Sequence, residues 1–329
     1  MPARGIDEPP FDLLSYARPG PGRRDRLTRA QLQQIARTVG RTPEVMVKVL
    51  SRGASDLGAV HRHVEYIGRK GDVHLETDDG QRLRGGHVGR DLIDDWDLEL
   101  DGQRARADLV SRPGRQPPRL IHKLVFSMPA GTSSEKVLEA VRNFCREEFA
   151  LKHRYAMALH TDEPHPHVHV VVRAVSEHDQ RLQIRKATLR EWRSDFARHL
   201  RAVGVPANAT QRFVRGETKV RKPDPIYRAN LRGESTHMRL RAEAVAQELV
   251  TGTTPIEPDN AKAAATYRNV QRAWRAVSDT LIREGQRDLA EKVERFADQM
   301  RVPMIERERI LRDRRAHVHG PRTREGPGR

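Results

Sequence analysis

Residues 158–172 read ALHTDEPHPHVHVVV, and the predicted fold depends on this stretch more than on any other. Alternate side chains of a strand share a face, so HVHVVV places His167 and His169 on one face and three valines on the other. The valines predict a strand with a buried face. The preceding strand pattern, RYAMALH, ends at His160, and the short link TDEPHP favours an antiparallel hairpin. We therefore expect His160 to lie beside the other two histidines.

These three imidazoles predict a metal site. Three neutral histidines can bind a divalent ion and leave positions open, through which the ion polarises a substrate oxygen. Asp162, two residues after His160, can accept the free ring N–H of a ligand histidine, or it can simply stabilise the turn. His165 lies between two prolines and is predicted to be a loop residue. Ordinary surface histidines are the alternative reading of the cluster.

Other segments show strand or helix patterns around this hairpin. Strands are predicted at EVMVKVL (44–50) and LIHKLVFSM (120–128), and helices at residues 57–69, 129–150 and 187–204. The polar, turn-rich segment 72–118 is interpreted as a long insertion with a little local structure. Together these patterns predict an α/β fold in which helices cover one face of a central antiparallel sheet.

Changes in composition predict three regions. Residues 1–43 form a flexible arm with a short helix, residues 44–216 hold the hairpin and its sheet, and residues 217–329 are helical and basic with a disordered tail. His317, in the HVHG stretch of that tail, lacks a valine strand and is interpreted as a loop residue.

The composition indicates a basic protein that binds a polyanion. The chain of 329 residues has 61 Lys and Arg against 45 Asp and Glu, a formal net charge of +16. Such an excess favours nucleic acid as the partner, with a solvated basic surface as the alternative. A single cysteine, Cys145, excludes an internal disulfide, and no apolar run is long enough for membrane insertion. These features predict a cytoplasmic protein.

Three stretches resemble one known family. HTDEPHPHVHVVV resembles the third motif of conjugative and mobilization relaxases of the HUH endonuclease superfamily, of the T-DNA border nuclease-like type. HVEYIGRKG resembles the first motif, and LVFSMPAGT resembles the second. The order also agrees, because relaxases place the tyrosine before the histidines. The resemblance covers roughly residues 44–215. It implies Tyr66 as the nucleophile, Mg or Mn bound by the three histidines, and Asp162 as the acid of the motif.

The resemblance also implies an activity and partners. A relaxase nicks one strand of single-stranded or locally melted DNA at an origin of transfer, forms a 5′-phosphotyrosyl link and rejoins the strand. This would mobilise a conjugative plasmid or mobile element. Accessory DNA-binding proteins and a type IV secretion coupling protein are the further partners implied, with export of the protein attached to DNA. The alternatives are a metal-dependent DNA hydrolase without a covalent intermediate and a DNA-binding accessory protein with a structural metal.

On the residues alone, Tyr66 and Tyr155 remain equal candidates for the nucleophile. Arg62, Arg69 and Lys70 lie close to Tyr66 in the sequence and favour its phenolate. An aromatic buried on a helix face is the alternative for Tyr66, and its neighbours His61 and His63 are predicted to be exposed helix residues. The candidate DNA contacts are Arg69, Lys70, Ser127, Arg173, Arg185 and Lys186.

Overall fold

The computed structural model describes residues 11–17, 26–50, 54–111, 117–217, 229–230, 232–251, 258–300 and 310. The chain divides into two compact units, Arg41–Ala209 and a second unit that combines Met1–Gly40 with Thr210–Arg329. This division groups the N-terminal and C-terminal segments, whereas the sequence suggested separate regions. None of the described helices has the length and apolar character of a membrane span.

The unit Arg41–Ala209 is built on an antiparallel sheet of six described strands. The spatial order is β1-β4-β6-β5-β2-β3. This confirms the predicted α/β fold with a central antiparallel sheet, and it confirms the β5–β6 hairpin. The strands are β1 Met46–Val49, β2 Leu75–Thr77, β3 Arg82–Leu83, β4 Ile121–Ser127, β5 Tyr155–His160 and β6 His167–Arg173.

Helices connect the strands and make up the described part of the second unit. In chain order they are α1 Arg29–Val39, α2 Leu57–Ile67, α3 Val88–Asp95, α4 Leu98–Ser111, α5 Ser134–Glu148, α6 Lys186–Ala202, α7 Thr236–Thr251, α8 Pro258–Arg283 and α9 Arg287–Gln299. Short 3-10 helices occur at Leu13–Ala17, Arg69–Gly71 and Arg212–Arg215.

One face of the sheet packs against α5 and α6. The three valines Val168, Val170 and Val172 point into this core and are fully buried. Phe126 of β4 lies 4.9 Å from Phe144 of α5, between ring centroids. Burial of each such side chain contributes roughly 1.5–3 kcal/mol. The period-two pattern in HVHVVV therefore anchors β6 as predicted.

The opposite face is covered over part of its area by α2 and α3. Val64 and Ile67 of α2 pack with Ala158 of β5 and Val171 of β6 in a second core. Helices thus lie on both faces of the sheet, where the sequence predicted only one covered face. The three histidine side chains at the ends of β5 and β6 lie on this second face, beside α2.

The segment 72–118 has more structure than the sequence predicted. It contributes β2, which pairs with β5, and the helices α3 and α4. Trp96 is fully buried in the second core. The strands of this segment are only two or three residues long, so a period-two pattern could not reveal them.

The second unit has its own helical core. Trp274 of α8 is fully buried, and its ring lies 5.4 Å from Phe296 of α9, between centroids. Leu13, within the predicted flexible arm, is buried in the same core. The predicted disordered tail, with His317, lies outside the described residues.

An ion pair joins β2 to α5 and makes a testable contribution to stability. Arg142 Nε and Nη2 donate to the two Glu76 carboxylate oxygens at 2.5 and 2.7 Å. This hydrogen bonding holds the pKa of Glu76 below its ordinary value, against the opposing effect of desolvation. Because the pKa of Glu76 is lower in the folded state than in the unfolded state, where it is about 4.3, the ion pair stabilises the fold at pH values above about 4.3. This stabilisation is lost as the pH falls through the folded-state pKa.

We therefore expect the wild-type protein to lose stability more steeply than the Glu76→Gln variant as the pH falls below about 5. The difference in the free energy of unfolding should reach about 1 kcal/mol, the net contribution of a typical hydrogen bond between partly exposed groups. Urea unfolding at several pH values measures it. Parallel pH dependences in the two proteins would contradict a role for this pair.

Candidate active site

The β5–β6 hairpin brings three histidines together. His160 and His167 are directly paired across the two strands, and His169 follows on the same face of β6. The ring centroids lie 4.6 Å apart for His160 and His169, 5.2 Å for His160 and His167, and 5.3 Å for His167 and His169. One ring nitrogen from each lies within 4.8 Å of the other two. This is the cluster that the sequence predicted.

Backbone carbonyls orient two of these rings. His160 Nε2 lies 2.7 Å from the Ile67 carbonyl oxygen, and His167 Nδ1 lies 3.0 Å from the His165 carbonyl oxygen. A carbonyl only accepts, so both ring nitrogens must carry the hydrogen and donate it. His160 Nδ1 and His167 Nε2 therefore keep the lone pairs that a metal ion requires.

The third ring of the cluster, that of His169, is also buried. His169 is 5% exposed, and its buried Nδ1 has no hydrogen-bond partner among the described residues. Burial, together with the neighbouring His160 and His167, lowers the pKa of His169 to about 3, and burial also lowers the pKa of His160. Neutral imidazoles with oriented lone pairs and an unpartnered buried nitrogen fit a divalent metal ion.

Tyr66 lies beside this cluster. It projects from α2 with 53% of its surface exposed, and its ring centroid is 5.9 Å from that of His169 and 6.5 Å from that of His160. Tyr155, the other candidate, is 2% exposed in the first core, where burial raises the pKa of its phenol. The structure therefore separates two tyrosines that the residues alone left equal.

Arg69 links the tyrosine, the histidines and Asp162. Its Nη2 donates to Asp162 Oδ2 at 2.5 Å and to His160 Nδ1 at 3.2 Å, and its Cζ lies 5.2 Å from the Tyr66 ring centroid. Arg69 and Lys70 have φ of 49° and 55°, in the left-handed region. This sharp turn at the end of α2 directs the Arg69 side chain back over the hairpin.

Of the two roles that the sequence left open for Asp162, the hydrogen bond from a ligand histidine is not among the described contacts. The described hydrogen bonds give Asp162 the guanidinium of Arg69 as its side-chain partner. The ring N–H groups of His160 and His167 are taken by the carbonyls of Ile67 and His165 instead. Asp162 is therefore linked to the histidines and Tyr66 through Arg69.

Ser127 is the candidate DNA contact that the sheet brings nearest to the histidines. It is paired with His167 across β4 and β6 and is 4% exposed. Lys70 is exposed and follows Arg69 at the end of α2. The exposed Lys70 is open to a strand at Tyr66, whereas Ser127 is buried in this structure.

Arg173 lies at the opposite end of β6. At about 3.3 Å per residue, it is roughly 20 Å from His167 along the strand. Its guanidinium donates to both carboxylate oxygens of the buried Asp101, at 3.0 and 3.3 Å, and to Glu177 at 3.3 Å. The guanidinium of Arg173 thus pairs with carboxylates at the far end of β6, and the structure does not bring this predicted DNA contact to the histidines.

Arg185 and Lys186 also lie away from the histidines. Leu182 N donates to the Ala174 carbonyl at 2.9 Å, just beyond the Arg173 end of β6, and α6 begins four residues later. Both side chains are exposed at the start of that helix. The structure does not bring them to the site.

His63 is the residue that sequence reasoning missed. It was predicted to be exposed, but it is 9% exposed and belongs to the buried stripe of α2 with Val60, Val64 and Ile67. Its ring stacks on that of Tyr66 at 6.2 Å and 21° and meets His169 edge-on at 6.4 Å. Burial, with the charge of Lys123, lowers the pKa of His63 to about 4. The helical spacing from Val60 and Ile67 could have revealed this burial.

One segment of the chain, which contains Tyr66 and the three histidines, is similar to a known family of domains. Residues 66–203 match the family model "Relaxase: MobA/VirD2-like, nuclease domain". The match begins at Tyr66 and includes all three histidines. T-DNA border endonuclease VirD2 of Rhizobium radiobacter is 27% identical over 143 residues, which cover 39% of this chain and 31% of the relative. VirD2 of Agrobacterium fabrum (strain C58) is 28% identical over 139 residues, which cover 39% and 30%. The match thus spans about a third of each relative.

Proposed function

We propose, from the match of residues 66–203 to the MobA/VirD2-like relaxase nuclease domain, that the chain nicks one strand of DNA at an origin of transfer. The proposed nucleophile is Tyr66. The observation that carries this proposal is the position of its exposed phenol beside three clustered imidazoles, with ring centroids 5.9 Å from His169 and 6.5 Å from His160.

The proposed reaction is a transesterification. The Tyr66 oxygen forms a bond to phosphorus while the bond between phosphorus and the 3′ oxygen breaks. The phenolic proton is released to solvent, and the leaving oxygen takes up a proton to become a 3′-hydroxyl. Because one phosphate ester replaces another, the same residues can run the step backwards and rejoin the strand.

His160, His167 and His169 are the residues that would hold a divalent ion. When bound, Mg or Mn would supply a Lewis acid for a non-bridging phosphate oxygen. Imidazole ligands suit transition metals better than Mg, so we expect Mn to support the reaction at least as well. Arg69, over the Tyr66 ring and paired with Asp162, is placed to bind a phosphate of the strand.

The proposed partners follow from the same activity. The strand would be single-stranded or locally melted DNA, with accessory DNA-binding proteins to expose it. A net charge of +16 supports attraction of the strand. We further propose that the protein acts in the cytoplasm, serves plasmid or mobile-element transfer, and is exported on DNA through a type IV secretion coupling protein.

Covalent attachment of a labelled strand tests the proposal. The wild-type protein is incubated with labelled single-stranded oligonucleotides and Mn, and the products are separated under denaturing conditions. We expect label on the protein, a free 3′-hydroxyl fragment, and mass spectrometry that maps the adduct to the Tyr66 peptide. Nicked DNA without a protein adduct would indicate a metal-dependent hydrolase instead. Binding without cleavage would indicate an accessory protein with a structural metal.

Arg69 provides a separate prediction about metal binding. His160 Nδ1 has one lone pair, which accepts a hydrogen bond from Arg69. The hydrogen bond from Arg69 must therefore break before His160 Nδ1 can bind a metal ion. We expect Arg69→Met to raise the affinity for Mn about fivefold in the absence of DNA, since a hydrogen bond of about 1 kcal/mol no longer has to break.

Isothermal titration calorimetry with Mn measures this effect. Lys70→Met is the matched control, because it removes the neighbouring positive charge without touching His160. An equal gain in both variants would show that only charge repulsion is involved, which would contradict competition at His160.

A further inference from the structure

His63 is a buried histidine next to the proposed site that the proposed chemistry does not use. It occupies the apolar stripe of α2, a position where a helix packed on a sheet ordinarily carries an aliphatic side chain. None of the hydrogen bonds described for the chain involves its ring. Its environment is instead defined by two other rings, those of Tyr66 and His169.

The geometry of these contacts is specific. Tyr66 lies three residues after His63, one helical turn away, and the two ring planes are 21° apart with centroids at 6.2 Å. His169 approaches the same imidazole from the sheet, at 69° and 6.4 Å. The Tyr66 and His169 centroids are themselves 5.9 Å apart, so the three rings form a triangle in which His63 lies beside both the proposed nucleophile and one of the proposed metal ligands.

Tyr66 needs a neighbouring group that restrains its ring, because much of its surface is exposed to solvent. A phenol that is 53% exposed at the end of a helix can change rotamer unless neighbouring groups restrain it. Arg69 reaches the ring from the next turn of the chain, and His160 and His169 meet it edge-on. His63 is the one ring in this set that is close to parallel with the phenol.

We propose that His63 is a positioning residue, whose flat ring stacks on Tyr66 and holds the phenol in register with His169. This inference rests on the proposed function, since it concerns the orientation of the nucleophile. Offset-stacked aromatic pairs at this separation stabilise one arrangement enough to change a rate about two- to tenfold.

Two substitutions of similar bulk separate stacking from simple packing. His63→Phe keeps a flat ring in the helix stripe, whereas His63→Leu fills the stripe without one. We expect His63→Leu to lower the rate of covalent complex formation at saturating DNA two- to tenfold, with the DNA concentration for half-maximal rate unchanged. His63→Phe should stay within twofold of the wild-type rate. His74→Leu, the same change at an exposed histidine of this unit, is the control.

Three results would overturn the proposal. A wild-type rate in His63→Leu would show that the ring is not needed. An equal loss in His63→Phe would show that a ring nitrogen matters, not the ring face. A loss of Mn binding in His63→Leu, measured by calorimetry, would make His63 a part of the metal site. Thermal unfolding of each variant verifies that it is folded, and no covalent complex with the wild-type protein would refute the proposed function itself.

Discussion

Tyr66→Phe is expected to abolish the covalent protein–DNA complex, with a fall of at least about a thousandfold in its rate of formation. The substitution removes one oxygen, and this oxygen is the atom that would bond to phosphorus. The ring remains, so its contacts with His63, His169 and Arg69 are preserved. Stability and affinity for the strand should therefore change little.

Tyr155→Phe is the matched control for this prediction. It makes the same chemical change at the tyrosine that the residues alone left equal to Tyr66, but in the first core. We expect wild-type adduct formation from it. The measurement is the yield of labelled protein on a denaturing gel over time. An adduct from Tyr66→Phe at the wild-type rate would exclude Tyr66 as the nucleophile, and nicked DNA without an adduct would support a hydrolase.

His169→Ala is expected to weaken Mn binding by at least about a hundredfold and to lower nicking in proportion. Loss of groups that merely orient a ligand costs 10- to 100-fold in metal affinity, so loss of a ligand should cost no less. His169 is the ring whose buried Nδ1 has no hydrogen-bond partner among the described residues. Its removal should not break a hydrogen bond that the fold needs.

His165→Ala is the control for the metal site. Its side chain is exposed in the hairpin loop, while its backbone carbonyl, which the substitution leaves in place, accepts from His167 Nδ1. Calorimetry with Mn and the nicking assay are applied to both variants, with circular dichroism to verify the fold. Equal Mn affinity in His169→Ala and the wild-type protein would remove His169 from the ligand set.

The sequence was informative wherever a feature depends on neighbours close along the chain. The period-two pattern of HVHVVV and the short TDEPHP link predicted the β5–β6 hairpin, the buried valines and the clustering of His160, His167 and His169. The segment 72–118 was less well predicted. Its short strands take their place only through pairing with β5, far along the chain.

The sequence by itself thus determined the histidine cluster, because strand alternation and a short link place these rings together whatever the rest of the chain does. Only the tertiary structure decided which tyrosine joins them, that His63 lies against both that tyrosine and His169, and that Asp162 binds Arg69 rather than an imidazole. These contacts arise where α2 packs across β5 and β6, and Ile67 and His160 are 93 residues apart in the chain. Packing between such distant segments depends on the whole core, which no local pattern encodes.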